Sequence, residues 1–164
     1  MGKMQKIRKI TVLMLLFCMV FGAVHANAAD ELLGTVVDGS LLTDETEVET
    51  TVYPLARWSY LASGNGTLTV TGTRSFRMTG STMASKTVDR VHVQMYLQRL
   101  KNGTWVNYKT GTLGTAYDTY YVVSTDSSLS VESGYYYRAL GAHKVVMGST
   151  VETASSYTDG IWVD

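Results

Sequence analysis

The chain has 164 residues, with 14 basic and 14 acidic side chains, and at that length one domain is the expectation. Four of the basic residues and none of the acidic ones lie in residues 1–28, so residues 29–164 carry a net charge of −4; the single cysteine, Cys18, also lies in that first stretch. Residues 29–164 can therefore form no disulfide, zinc–thiolate centre, thiol nucleophile or iron–sulfur cluster, and a mildly acidic domain is a poor general nucleic-acid binder.

Lys3, Lys6, Arg8 and Lys9 form a basic n-region, Ile10 to Val24 a nearly unbroken apolar run, and Ala26-Asn27-Ala28 a small-x-small cleavage site. This is the three-part layout of a secretory signal peptide. The apolar run is short against the roughly 20 residues of a membrane span. Residues 1–28 are expected to be removed, releasing the remainder outside the cell with no stable membrane insertion. Leu16 and Phe17 precede Cys18 where a lipobox needs small residues.

Residues 29–55 are expected to run as an extended acidic arm. Asp30, Glu31, Asp38, Asp44, Glu45, Glu47 and Glu49 are half of all the acids, apolar content is thin, and Pro54, the only proline, marks where the arm meets the domain. Residues 56–164 form that domain. Gly66 to Gly72 and Thr73 to Met78 read as strands. Val91, Val93, Met95 and Leu97 alternate with His92, Gln94, Tyr96 and Gln98, the period of a half-buried strand. Asn102-Gly103 then separates 88–100 from 104–109, and Asn-Gly between β-rich runs predicts a hairpin because both residues tolerate positive φ. Tyr117 to Val123 reads as a strand, Gly134 to Val146 as a longer one with a bulge at Gly141, and Gly160 to Val163 as the last. A tight connection is expected near Gly148. No window holds a helical period for three turns.

Short strands punctuated by turns predict an all-β fold, an antiparallel β-sandwich of immunoglobulin or fibronectin type; a small closed barrel is the alternative. Ser133-Gly134-Tyr135-Tyr136-Tyr137-Arg138 is similar to the start of strand F in such sandwiches, with Tyr136 as the structural tyrosine corner and Arg138 where antibody domains carry a cysteine.

Four segments together resemble a family of small secreted proteins of unknown function from Gram-positive, clostridial or bacillar, bacteria: Val37 to Glu45, Thr87 to Val91, Gly134 to Arg138 and Tyr157 to Val163. They span nearly all of residues 29–164. The resemblance implies a secreted bacterial domain and brings no activity, ligand, cofactor or site residue.

Tyrosines crowd the last third of the chain: Tyr117, Tyr120, Tyr121, Tyr135, Tyr136, Tyr137 and Tyr157. Tyr135 and Tyr137 share one face of a strand and Tyr136 takes the other. Exposed rings on a sheet can stack on sugar C–H faces, so Tyr135, Tyr137 and Trp105, just past the hairpin turn, are the candidate binding residues. The competing reading makes these rings core and cross-strand pairs. His92 and His143 show no metal-ligand spacing and read as solvent-facing strand histidines, so no metal or other cofactor is implied. Asp38-Gly39 and Asp159-Gly160 read as turns, as do the glycosylation-like triplets at Asn65 and Asn102. There is no Gly-x-Ser-x-Gly elbow, and the few acids of the domain fall near strand ends. A non-catalytic, secreted binding module for cell-wall or other extracellular glycan is the expectation. The alternatives are a protein-interaction or structural subunit of an extracellular assembly, joined through an open sheet edge, and a secreted effector.

Overall fold

The computed structural model describes residues 31–164 except Pro54. The expected signal peptide, residues 1–28, and the proposed junction at Pro54 lie outside the described residues. The regular elements are ten strands: β1 (Val36–Val37), β2 (Ser40–Thr43), β3 (Glu47–Val52), β4 (Leu61–Gly72), β5 (Ser75–Lys101), β6 (Thr104–Thr110), β7 (Gly114–Ser130), β8 (Tyr135–Met147), β9 (Thr150–Tyr157) and β10 (Gly160–Val163). The chain is all-β. No helix among the described residues is long and apolar enough to cross a membrane, which says nothing of strands.

The turn chemistry read from the sequence sets the hairpins. Asn102 and Gly103 take φ of 51° and 75° and join β5 to β6, with Lys101 opposite Thr104. Asp38 and Gly39 do the same between β1 and β2, at 48° and 79°. Gly148, at 57°, turns β8 into β9. The pairing of β8 with β5 runs unbroken through Met95 opposite Gly141, so the expected bulge at Gly141 is absent.

β5 organises the molecule. Its 27 residues take in both stretches expected as separate strands, the one ending at Met78 and 88–100, together with the polar Ser85-Lys86-Thr87 between them. Along one edge of it β6 and β7 run end to end. On its other edge β4 pairs the first half and β8 the second. The ladder to β7 shifts register between Met83 and Val88, and such an irregularity bends the strand. The order is β1-β2-β10-β8-β5-β4-β3, one hydrogen-bonded sheet curled into a half-barrel. It is mixed rather than purely antiparallel, since β2 lies parallel to β10. In place of the two separate layers of the expected sandwich, the one sheet curls so that β4 packs across β8 and β9.

The inner face holds the main core: Leu61 and Leu68 of β4, Phe76, Met78, Val91, Val93, Met95 and Leu97 of β5, Tyr137, Ala139 and Val145 of β8, and Ile161 and Val163 of β10. Small residues set how closely the halves approach. A Cβ on Gly64 would collide with the His143 ring, and one on Gly66 would sit 3.1 Å from Met95 Cε. That corrects the reading of Asn65-Gly66 as a turn: both lie mid-strand in β4, where glycine serves close packing.

The acidic segment expected as an arm contributes β1, β2 and β3, all paired into the sheet. β3 pairs six residues with β4, from Glu47 opposite Thr69 to Val52 opposite Gly64. Val48 points inward while Glu47 and Glu49 stay exposed. Leu42 of β2 joins Leu100, Trp105 and Tyr136 in a second cluster on the outer face of the sheet.

Candidate functional site

The sequence-predicted aromatics are mostly spent on structure. Tyr137 is fully buried, against Phe76 and Tyr108 at centroid distances of 5.8 and 5.5 Å. Its hydroxyl donates to the Glu132 carbonyl at 2.9 Å and accepts from the Glu132 N–H at 3.2 Å. That hydroxyl-to-backbone link is the corner contact expected of Tyr136, made one position later. Tyr136 is buried against Trp162 at 5.0 Å. Trp105, expected to be reachable, is buried, and its Nε1–H donates to the Val37 carbonyl at 3.0 Å. Tyr135 is half-buried beneath the Arg99 guanidinium, whose carbon lies 4.4 Å from its ring centre. These residues do not converge on an open binding face. Tyr137 and Tyr135 turn to the inner core, and Trp105 and Tyr136 are covered on the outer face by β1 and β2, neither of which periodicity within one strand can reveal.

The histidines divide. His143, expected at the surface, faces the core and is 1% exposed. Its Nε2 lies 2.8 Å from Ser156 Oγ and its Nδ1 2.9 Å from Thr82 Oγ1. Thr82 spends its own proton on the His92 carbonyl at 2.8 Å. Nδ1 therefore carries the hydrogen, and Ser156 donates to Nε2. This is a serine–histidine pair, but burial pushes the His143 pKa down to about 4, and a threonine stands where a carboxylate would support an imidazolium. It behaves as a satisfied polar spine of the core. A second buried polar group, Glu152, accepts backbone N–H donors from Ser59, Tyr60 and Leu61 at 2.7, 3.0 and 2.7 Å. Burial raises its pKa, but those donors outweigh it and hold it below the usual value.

What remains open lies on the outer face of β5, β8 and β9. Three cross-strand rows define it. His92, Lys144 and Thr153 are register partners; so are Ala142 and Gln94, and Ala142 and Ser155; so are Tyr96, Leu140 and Tyr157. The small Ala142 side chain leaves a depression between the outer two rows. The result is a groove of about 500 Å³, lined by His92, Gln94, Ala142, Lys144, Thr153 and Ser155, with Leu113 at one side. That volume is in the range of small-ligand sites. Its polar groups are positioned. His92 Nδ1 is 2.8 Å from Thr115 Oγ1, which fixes the ring. Gln94 Nε2 donates to the Gly111 carbonyl at 2.6 Å. Burial, then the positive charges of Arg90 and Lys144, hold the His92 pKa below its ordinary value. Among the described residues no group of three or more His, Cys, Asp or Glu side chains is placed to hold a metal ion.

The alternation over residues 91–98 put His92, Gln94 and Tyr96 on one polar face. The partners from β8 and β9 were missed, because only the ladder between strands brings Lys144, Thr153 and Ser155 beside them. Chain-wide comparison agrees on membership: the model of a family of unknown function, DUF6147, matches residues 28–160. The chain belongs to DUF6147. No curated protein and no solved structure matches it. The family carries no activity with it, so the groove is judged on its own chemistry.

Proposed function

We propose that this member of DUF6147 is a secreted, non-catalytic binding module whose ligand is an extracellular glycan held on the outer face of the sheet. The observation that carries the reading is the groove over Ala142, lined by hydroxyl, amide, imidazole and amine groups, with the row of Tyr96, Leu140 and Tyr157 next to it in the register of the sheet. Tyr96 is half-buried and Tyr157 exposed, so both can offer ring surface to sugar C–H groups while polar side chains meet the hydroxyls. Export is supported by the basic, apolar and small-x-small pattern of residues 1–28, at the last residue of which the family match begins. A non-catalytic role is supported by the placement of the serine–histidine pair inside the core. The corner bond of Tyr137 supports kinship with immunoglobulin-like sandwiches, while the shared strand β5 favours the open-barrel description.

The test is co-sedimentation of the purified protein with Gram-positive cell walls, with soluble sugars as competitors. Pelleting that sugars reverse is expected, and Ala142→Leu, which fills the groove floor without removing a hydrogen bond, should abolish it. Pelleting unaffected by Ala142→Leu would place the binding surface elsewhere.

One observation favours a second reading, a protein-interaction module. β7 is 17 residues long and, among the described residues, pairs only with β5. It contains neither Lys nor Pro to guard the open edge, and exposes Tyr117, Tyr120, Tyr121 and Val123. Strand addition there would survive Ala142→Leu and fail on placing a lysine at Val123.

A further inference from the structure

We propose that the groove selects an acidic saccharide, one bearing a carboxylate or phosphate, and that Lys144 is the residue that pairs with the acid group. This deepens the glycan reading and rests on it.

The charge inventory of the groove points this way. Residues 29–164 carry a net charge of −4, yet no acidic side chain lines the groove among the described residues. The acids nearest to it along β5 and β9 are engaged elsewhere. Asp89 Oδ2 accepts the Gly148 N–H at 2.6 Å, and Glu152 turns inward to its three backbone donors. Lys144 has neither an ion pair nor a hydrogen bond among the described residues. It is half-buried, set on the middle strand between His92 and Thr153, and Arg90 adds to the positive field felt by His92. A lone ammonium in a recess, with no carboxylate to neutralise it, is where an anionic group gains most.

The neighbouring groups extend the recognition beyond a bare anion. Thr153 and Ser155 bring hydroxyls that donate to an acid oxygen. The amide nitrogen of Gln94 is committed to the Gly111 carbonyl, so this side chain offers its carbonyl oxygen, an acceptor for a sugar hydroxyl. Ala142, Leu113 and the row of Tyr96, Leu140 and Tyr157 supply apolar surface that an inorganic anion would leave unused. Adjacent strands lie about 4.8 Å apart, so the two outer strands of the groove are about 10 Å apart, roughly two linked sugar rings.

The experiment is calorimetric titration of the purified protein at low salt with trigalacturonate, its fully methyl-esterified counterpart, a glycerol-phosphate oligomer carrying sugar, and inorganic phosphate. At least one of the two acidic saccharides should bind. For trigalacturonate the methyl ester should bind about ten- to a hundredfold more weakly, the worth of one charge-assisted hydrogen bond. Lys144→Gln should lower acid affinity by the same factor and leave ester affinity unchanged. Equal binding of acid and ester, with Lys144→Gln silent, overturns the acid inference while the glycan reading stands. Inorganic phosphate binding as tightly as the saccharides overturns the saccharide part. No binding of any probe, with wall pelleting also absent, overturns both.

Discussion

The outer face of β8 carries two cations six residues apart, and they live under opposite conditions. Arg138 is 2% exposed. Its Nε donates to Gln98 Oε1 at 2.9 Å, its Nη1 to Ser40 Oγ at 2.8 Å and to the Asp38 carbonyl at 3.0 Å, and its Nη2 to Asp38 Oδ2 at 3.2 Å. The guanidinium lies between Trp105 and Tyr157, 4.6 and 4.7 Å from their ring centres. Lys144, on the same face, has no such partner. The difference is a lid: β1 and β2 fold over the Arg138 end and stop short of the other. Where the sheet is covered, a cation is a fastener. Where it is bare, the same kind of charge is available to something that arrives from outside.

The largest effect that separates the two ends follows from removing the fastener. Arg138→Ala leaves the buried Gln98 and Ser40 acceptors without their donor, returns the exposed Asp38 carboxylate to water and opens a gap between two rings. An unpaired buried acceptor typically costs about 1–3 kcal/mol, so with two of them a loss of about 4 kcal/mol is expected in urea unfolding. The β1–β2 segment should become the first site of proteolytic cutting. Arg138→Lys should rescue little, since an ammonium cannot span Gln98, Ser40 and Asp38 at once. The segment once read as a free arm is thus part of the fold, and deleting it would also remove β3 from β4.

Inside the barrel the comparison turns on pH. His143 has its pKa moved from 6.5 to about 4 by burial. Above pH 6.5 it is neutral folded or unfolded and costs nothing. As pH falls toward 4 the unfolded chain takes up the proton first, so stability declines by roughly 3 kcal/mol in that window. Glu152, depressed below 4.5, adds a further loss at lower pH, with the same sign. In His143→Gln, which keeps groups for both Ser156 and Thr82, the fall of the unfolding midpoint between pH 6.5 and 4.5 should be much shallower than in the parent protein. His92, whose pKa is also held down, adds a loss of the same sign as pH falls through 6.5.

A smaller loss is expected where the halves touch. Gly64→Ala puts a methyl into the His143 ring, and overpacking of this kind costs about 1–3 kcal/mol. Gly103→Ala, at positive φ in an open turn with nothing within 4 Å of a new Cβ, should cost about 1 kcal/mol through backbone strain alone. Thermal unfolding of the pair separates packing from conformation.

These particulars also show what the sequence carried. The strands, the Asn102-Gly103 hairpin and the Asp38-Gly39 turn were legible because they depend on neighbours within a few residues. The polar face at His92, Gln94 and Tyr96 was legible for the same reason. Tyr137 and Trp105 were not separable from surface aromatics, because their burial comes from Phe76, Tyr108 and Val37, which are distant in sequence. His143 alternates along its strand like any inward residue. Its polarity suggested solvent, and Gly64 on the facing β4, with Gly141 two residues earlier on its own strand, makes room for it. The length of β5 was hidden by a polar stretch at the point where it bends.

The smallest expected effect is the most informative about the groove. Lys144→Gln removes a charge that touches nothing charged among the described residues, and substitutions of that kind stay within about 0.5 kcal/mol. Its unfolding curve should overlay that of the parent protein at pH 7, even though acid-ligand affinity falls. A loss comparable to that of Arg138→Ala would mean that Lys144 holds the sheet together as Arg138 does. The two ends of β8 would then be alike, and the groove would be a dent in a structural surface rather than a place for a ligand.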